Sequence, residues 1–188
     1  MTTLSKLSQT FATAILLVCG LFMLNIAPAM AQVACPANPH WTATNPPINA
    51  DHVFCGEINN GAKGFHSRPG GLNPATVASF VVTQPPNGNG IYGGTVTLVN
   101  PNGNNPSKFS TIFPDNCTQA EVEQSVLYAH GNVQACPAGA PGWALCGMNR
   151  PANGNGAGYC IGNDANSRFY IAFATLGNGN INTAFPLR

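Results

Sequence analysis

The apolar positions of the chain form short runs rich in β-branched residues, and turn residues separate these runs. Residues 77–83 and 91–99 are two such runs, and the intervening "QPPNGNG" predicts a hairpin or two neighbouring strands. Four more runs typical of strands follow residue 142: "WALCG", "GYCIG", "RFYIAFATL" and "NINTAF". The "GNGN" of residues 177–180 predicts a hairpin turn between the last two.

One α-helix is predicted from its capping signal. Thr118 is the predicted N-cap, and Glu121, three residues later, completes a capping box. Apolar residues then recur at helical spacing from Val122 to Ala129, and Gly131 ends the helix. Several strands with one or two helices define an α+β domain.

Less regular patterns fill the region between the N-terminus and this helix. A second, short helix is predicted around residue 50, and the glycine-rich residues 57–73 predict a loop. In "SKFSTIFP" the aromatic and aliphatic side chains are expected in the core, namely Phe109, Ile112 and Phe113.

The N-terminal residues predict export from the cytosol. Residues 1–31 contain Lys6 as the only charge, an apolar run and an A-x-A site, which is the pattern of a secretory signal peptide cleaved after Ala31. Residues 32–50 form a proline-rich lead-in, and residues 51–188 are the predicted folded domain. We therefore expect a secreted or periplasmic protein with no membrane segment in its mature form.

Export changes how the cysteines are interpreted. The chain has seven cysteines, and one of them, Cys19, falls in the signal segment. An even number in an exported chain favours disulfides over zinc, although six cysteines allow about 15 pairings. Local closure favours Cys117–Cys136 and Cys146–Cys160, which leaves Cys35–Cys55 as the third bridge.

The chain is unusually poor in charge. Only 7% of its residues are charged, whereas about 25% is usual. Without Lys6 the chain carries as many basic as acidic residues, because the full sequence has seven and six. This balance argues against the broad basic face of a nucleic-acid-binding protein. Any polyanionic substrate would have to be held by a few groups at one site.

Two histidines flank the glycine-rich stretch, at His52 and His66. With a pKa near neutrality, one imidazole can accept a proton while another donates one in the same reaction. RNA offers such a reaction, because its 2′-hydroxyl can attack the adjacent phosphorus while the 5′-oxygen leaves. The charged phosphorus centre also needs a fixed cation. Of Lys63 and Lys108, the latter lies beside an apolar stretch and is the better candidate.

Three short blocks of the sequence resemble the EndoU ribonucleases, in particular their bacterial branch. "HVFCGE…GFH" resembles the family's two histidine blocks, "KFSTIFP" its lysine block and "INTAFP" its C-terminal strand. The blocks extend from His52 to Pro186, and their order and spacing match the family pattern.

The resemblance implies a fold and a reaction. The fold would be similar to pancreatic-type ribonucleases, with two small antiparallel sheets, helices and a cleft between the sheets. His66 would act as the general base, His52 as the general acid, and Lys108 would stabilise the phosphorus centre. Single-stranded RNA would be cut near uridine, leaving a 2′,3′-cyclic phosphate.

The resemblance also implies the residues that hold the substrate. Thr183 matches a position that contacts uracil. Phe185 lies at the position of an aromatic residue, often tyrosine, that stacks on the nucleotide. Ser110 or Thr111 would supply another base contact, and the glycine-rich loop at Gly64 offers backbone N–H groups to a phosphate. No cofactor is required by these groups, although Mn²⁺ stimulates some relatives. We expect a monomer, with an inhibitor or immunity protein as a candidate partner.

Two alternatives remain open from the sequence. The first is a zinc site, for which His52, Cys55, Glu57 and His66 are potential ligands. The second is an exported, non-catalytic module that binds carbohydrate or a surface partner. The binding module is distinguished from the nuclease hypothesis by whether His52, His66 and Lys108 converge on one cleft.

Overall fold

The computed structural model describes residues 31–36, 39–154 and 156–188. Apart from Ala31, the predicted signal peptide lies outside these residues. The described elements confirm the α+β class. They are a π-helical turn Asp51–Cys55, β1 Glu57–Ile58, β2 Ala62–Lys63, a 3₁₀ turn Pro69–Gly71, β3 Val77–Gln84, β4 Tyr92–Leu98, β5 Ser107–Ile112, α1 Gln119–Gly131, β6 Val133–Gln134, β7 Leu145–Met148, β8 Tyr170–Thr175 and β9 Ile181–Pro186.

Two small antiparallel sheets form the framework, as predicted. One has the strand order β3-β4-β5 and the other β6-β7-β8-β9, while β1 and β2 form a separate short hairpin. The β3–β4 and β8–β9 pairs are antiparallel, which confirms that the turn-rich segments between them are hairpin connections. The hairpin of β1 and β2 replaces part of the loop predicted for residues 57–73. The helix predicted around residue 50 is the single π-helical turn.

One predicted strand is wrong. Residues 158–162, "GYCIG", adopt turns and irregular structure instead of a strand. Their backbone is bound by α1, because the Cys160 N–H donates to Ser125 Oγ at 2.8 Å and to the Glu121 carbonyl at 3.2 Å. A backbone donor used by the helix is not free to pair with a sheet.

The helix α1 begins where its capping signal predicted. The Thr118 side chain accepts from the Glu121 backbone N–H, and the Glu121 carboxylate accepts from the Thr118 backbone N–H at 2.8 Å. Its residues Val122, Val126 and Ala129 are fully buried, and they lie in the same core cluster as Ile171 and Phe173 of β8. This packing places α1 against the four-stranded sheet.

A second core cluster lies between the three-stranded sheet and the loop that carries Phe65. It contains Phe65, Val96, Leu98 and Ile112. Phe109, which was expected in the core, is 48% exposed, so that prediction is wrong. Successive side chains of a strand point to opposite faces. Phe109 therefore lies on the exposed face of β5, opposite to the half-buried Lys108 and the buried Ser110.

Three disulfides join the six cysteines of the described chain, but in a pairing that differs from the predicted one. Cys35–Cys55 is confirmed, whereas the other bridges are Cys117–Cys160 and Cys136–Cys146. The prediction assumed that each disulfide closes a short local segment, but two tertiary contacts determine the pairing instead. Antiparallel pairing puts Gln134 opposite Cys146 and so brings Cys136 close, while α1 holds the segment of Cys160 near the start of the helix.

Three disulfides are typical of proteins that fold outside the cytosol, in an extracellular or periplasmic compartment. In the part of the chain that the structure describes, no helix has both the length and the apolar character needed to cross a membrane.

Candidate active site

The glycine-rich loop is fastened onto the π-helical turn, and this contact brings the two histidines together. The Phe65 N–H donates to the His52 carbonyl at 2.7 Å, and the His66 N–H donates to the Val53 carbonyl at 2.7 Å. Gly64 has φ +69°, and a Cβ atom there would lie 2.1 Å from the His52 carbonyl oxygen. Only glycine fits this close crossing of the two backbones.

The three residues predicted to carry the chemistry lie in one place. The ring centroids of His52 and His66 are 5.9 Å apart. Lys108 Nζ on β5 donates to the Gly64 carbonyl at 3.0 Å and to Ser110 Oγ at 3.2 Å. Ser110 Oγ is in turn 2.9 Å from His66 Nδ1. Two histidines and a lysine therefore surround one small region.

His52 is oriented by a carboxylate. Its Nδ1 atom lies 2.7 Å from Glu57 Oε2. The pKa of Glu57 is lowered, first by this hydrogen bond, so the carboxyl group is ionised near neutral pH. An ionised carboxylate can only accept, so the His52 proton lies on Nδ1 and Nε2 is left to exchange a proton with a substrate.

Asn49 holds this pair in position. Its Oδ1 atom accepts from the His52 backbone N–H at 2.9 Å, and its Nδ2 donates to Glu57 Oε1 at 3.2 Å. The same Nδ2 lies 3.3 Å from Asn182 Oδ1 on β9. Asn49 is 3% exposed, and it links the π-helical turn to the four-stranded sheet.

His66 is in a different environment from His52. It is 7% exposed, and its Nδ1 lies 3.1 Å from the Thr111 carbonyl, which can only accept a hydrogen bond. Burial lowers the pKa of His66 well below its usual value, and the charges of Lys108 and His52 add to the effect. At neutral pH the ring is therefore uncharged, with its proton on Nδ1 and a free lone pair on Nε2. These are the properties of a general base.

Lys108 is a cation with a lowered proton affinity. Burial lowers the pKa of its ammonium group to about 8, so it is still mostly charged at neutral pH. Its position is fixed by β5 and by the Gly64 carbonyl. The arrangement places a partly desolvated positive charge next to the neutral imidazole of His66.

The residues expected to hold the substrate divide into two groups. Ser110 and Gly64 take part in the hydrogen-bond network of Lys108, whereas Thr111 contributes its backbone carbonyl to His66. Phe185 and Thr183 lie two residues apart on β9 and share a face of that strand. The Phe185 ring centroid is 5.1 Å from that of His66.

The network around the histidines includes two residues whose roles were not predicted. Glu57 was considered only as a zinc ligand, and Asn49 was not considered. Glu57 lies in the "HVFCGE" block that resembles the family, but the block itself does not show that its carboxylate contacts His52. Only the turn from the π-helical segment into β1 brings the carboxylate back onto the imidazole.

The zinc alternative is wrong as formulated from the sequence. Cys55 is bonded to Cys35, so it has no thiolate to offer a metal. Among the described residues, no group of three or more His, Cys, Asp or Glu side chains is arranged to hold a metal ion.

The fold and this site define a class of protein: an α+β protein with a paired-histidine, single-lysine site of the kind suited to phosphoryl transfer. A family model described as "Bacterial EndoU nuclease" matches residues 48–188, which is three quarters of the chain. The chain belongs to this bacterial EndoU nuclease family. Neither the comparison with curated proteins nor the comparison with solved structures found a match.

Proposed function

We propose that this protein is an exported endoribonuclease that cuts single-stranded RNA near uridine by transesterification. The 2′-oxygen attacks the adjacent phosphorus, the 5′-oxygen of the next nucleotide leaves, and the product carries a 2′,3′-cyclic phosphate. The observation that carries the proposal is the convergence of His52, His66 and Lys108, with the two imidazole centroids 5.9 Å apart. Family membership supports it independently.

The two histidines take different roles in this proposal. His66 accepts the 2′-hydroxyl proton on Nε2, which its lowered pKa and its Nδ1 contact with Thr111 support. His52 donates a proton from Nε2 to the leaving 5′-oxygen, while the ionised Glu57 at 2.7 Å compensates the charge of its protonated ring. Lys108 stabilises the negative charge that accumulates on the phosphorus oxygens.

Base recognition is assigned to Thr183 and Phe185. A pyrimidine stacked on Phe185 would lie beside His66. The ribose of the same nucleotide would then be near His66, the general base that removes the 2′-hydroxyl proton. Ser110 is buried and its hydroxyl contacts His66 Nδ1 and Lys108 Nζ, so its part in the proposal is to position these two groups. Thr183 would contact the uracil edge, while Phe185, which lacks the hydroxyl of tyrosine, would make the uridine preference less strict.

No metal ion is required in this mechanism, because the general base, the general acid and the cation are all side chains of the chain. The near-neutral charge of the protein predicts that RNA affinity depends only weakly on salt concentration. The exported, non-catalytic binding module is the less favoured function, since an isolated binding surface has no need for a base, an acid and a cation in contact.

The test is cleavage of a fluorescent RNA that contains a single uridine, by the oxidised protein in EDTA. We expect cutting next to uridine with a cyclic phosphate end, no cutting when that uridine is 2′-deoxy, and loss of activity by about a hundredfold or more in His66→Ala and His52→Ala. His130→Ala, at the end of α1, is the matched control and should retain activity.

Three results would contradict the proposal in different ways. Equal cleavage of DNA would exclude attack by a 2′-hydroxyl. Activity that EDTA abolishes and Mn²⁺ restores would replace the metal-free mechanism with a metal-dependent one, whereas mere stimulation by Mn²⁺ would leave it intact. Absence of cleavage with or without Mn²⁺, with all three disulfides formed, would favour the binding module.

A further inference from the structure

A second exposed aromatic side chain lies next to Phe185, outside the set that the sequence indicated. Trp143 is 60% exposed, the largest exposed fraction among the large hydrophobic side chains of the described chain. Its ring centroid is 6.0 Å from that of Phe185 at an interplanar angle of 62°. Because Phe185 is 5.1 Å from His66, an unbroken series of rings leads from the candidate base to the surface.

The segment that carries Trp143 is held in place rather than free to move away. It lies between Cys136 and Cys146, which are joined by a disulfide. The sheet register places Cys146 opposite Ala172 and Ala172 opposite Phe185, so the end of this segment and Phe185 are tied to the same central strand, β8. An exposed tryptophan forgoes the free energy that burial of its apolar surface would contribute to folding. Exposed apolar surface of this kind is typical of a binding site.

The charge distribution indicates what such a ring would bind. Residues 131–149 contain no Asp, Glu, Lys or Arg, so this surface cannot hold phosphates by ion pairing. The whole chain has only seven basic residues against six acidic ones. A protein with so few cations needs another way to bind single-stranded RNA, and aromatic side chains supply it by stacking on the nucleobases. Every nucleobase has a flat face on which an aromatic ring can stack.

We propose that Trp143 stacks on the nucleobase immediately 5′ to the nucleotide held by Phe185, so that the enzyme binds two consecutive bases. This inference rests on the proposed ribonuclease function. The direction follows from the chemistry: the 3′-phosphate of the nucleotide on Phe185 is the scissile group and must lie at the histidines. The strand that leaves Phe185 away from the histidines, toward Trp143, is therefore its 5′ side.

The tilt between the two rings fits separate bases rather than one. At 62° and 6.0 Å, the Phe185 and Trp143 rings leave no parallel gap in which a single base could be sandwiched. Each ring instead offers its own face. The proposal consequently predicts a preference for substrates with a base, of any identity, on the 5′ side of the cleaved nucleotide.

Tryptophan fluorescence tests binding without requiring cleavage. The chain has two tryptophans, so Trp41→Phe leaves Trp143 as the sole reporter and Trp143→Phe leaves Trp41. We expect a short RNA whose single uridine is 2′-deoxy to quench the tryptophan fluorescence of Trp41→Phe in a saturable manner. The fluorescence of Trp143→Phe should not change. An abasic residue 5′ to the uridine should remove most of the quenching, whereas one on the 3′ side should not.

Cleavage kinetics provide the second readout. Trp143→Ala should lower kcat/KM by about fivefold to a hundredfold, mainly through KM, since stacking on one base is worth that factor. Trp143→Phe should recover much of the loss. A 5′-abasic substrate should cost the wild type the same factor and cost Trp143→Ala nothing further. Leu145→Ala, an exposed apolar side chain two residues away, is the matched control and should be unaffected.

The outcomes separate this inference from the ribonuclease proposal. Uridine-dependent cleavage with no quenching and no dependence on the 5′ base would overturn the role of Trp143 and leave the nuclease in place. Base-dependent quenching without cleavage would support the stacking role while contradicting transesterification. Sensitivity to a 3′-abasic residue alone would overturn the 5′ assignment.

Discussion

At the scale of single residues, the two histidines of the candidate site lie in different surroundings. His66 is buried, faces a backbone carbonyl and has a lowered pKa, whereas His52 faces the ionised Glu57. In the proposed mechanism, these different surroundings support His66 as the general base and His52 as the general acid. Burial lowers the pKa of Lys108, the cation of the site, to about 8.

The charge of Lys108 should limit activity at high pH. Because only the protonated ammonium group stabilises the phosphorus centre, kcat/KM should fall as the pH rises through about 8, by about tenfold per pH unit. In Lys108→Arg the guanidinium stays charged, so this decline should move to higher pH even if the rate at neutral pH is lower. The measurement is a pH profile of kcat/KM on the uridine-containing RNA.

The other lysine supplies the control for that experiment. Lys63→Arg, at an exposed position of β2, should leave the decline near pH 8 where it is. A decline that stays near pH 8 in Lys108→Arg would assign it to another group.

Burial of His66 should also make the stability of the protein depend on pH. Its folded-state pKa is lowered, so below about pH 6.5 the unfolded chain binds a proton that the folded protein does not, and stability falls as the pH falls. The loss should accumulate as the pH is lowered from 7 to 5, because the unfolded chain takes up its proton in this range. Urea denaturation at both pH values should show this loss in the wild type and a smaller loss in His66→Gln.

His130→Gln, which changes a histidine outside the site, should keep the full loss. Parallel decreases in the wild type and in His66→Gln would show that His66 is not the group responsible.

At the scale of elements, the loop crossing at Gly64 decides whether the site can form. The loop between β2 and the 3₁₀ turn carries His66, and it passes directly over the π-helical turn that carries His52. The β5 strand then delivers Lys108 and Ser110 on one face. The loop and the π-helical turn, which have little regular structure of their own, are thus held together by backbone hydrogen bonds, and the Lys108 side chain joins β5 to the loop.

We expect Gly64→Ala to destabilise the fold strongly. The new Cβ would lie 2.1 Å from the His52 carbonyl oxygen at a φ of +69°, so one backbone segment must shift. The expected loss is about 3 kcal/mol or more in urea denaturation, together with loss of activity.

Gly179→Ala separates the two causes of that loss. Gly179, in the turn between β8 and β9, has φ +87° and open space around it, so alanine there adds backbone strain without a clash. Its cost should be about 1–2 kcal/mol. Equal losses in the two variants would mean that the contact with His52 contributes nothing.

At the scale of the whole molecule, three disulfides cross-link segments that pack around two core clusters. Cys35–Cys55 ties the proline-rich lead-in to the π-helical turn, and Cys117–Cys160 ties the start of α1 to the segment before β8. The shortest loop, closed by Cys136–Cys146, carries Trp143.

Removal of these bridges should destabilise the protein in the order of the loops that they close. Cys117–Cys160 spans 43 residues and Cys136–Cys146 spans 10. The chain-entropy relation gives about 4 kcal/mol for the longer loop and about 3 kcal/mol for the shorter one. Urea denaturation of the Cys117→Ala/Cys160→Ala and Cys136→Ala/Cys146→Ala proteins measures both losses.

The two bridges should also differ in their effect on function. If the shorter bridge serves mainly to hold Trp143, its removal should raise KM for RNA more than removal of the longer one, at a temperature where both variants are folded. The reverse order of KM changes would show that the loop keeps its place without the bridge.

The amino-acid sequence was sufficient for features that depend on local chemistry. The capping box of α1, the β3–β4 and β8–β9 hairpins and the α+β class follow from side-chain spacing and turn residues, which act over a few positions. His52, His66 and Lys108 could be singled out because histidine and lysine are scarce here and their blocks resemble the EndoU family.

The tertiary structure decided what depends on contacts between distant segments. The pairing of Cys117 with Cys160, the irregular backbone around Cys160 and the exposure of Phe109 follow from packing against α1 and from the facing of β5. The same is true of Glu57 on His52 and of Trp143 beside Phe185. A side chain's partner, its burial and hence its pKa are properties of the folded chain, because they are set by residues that the sequence separates and only the fold brings together.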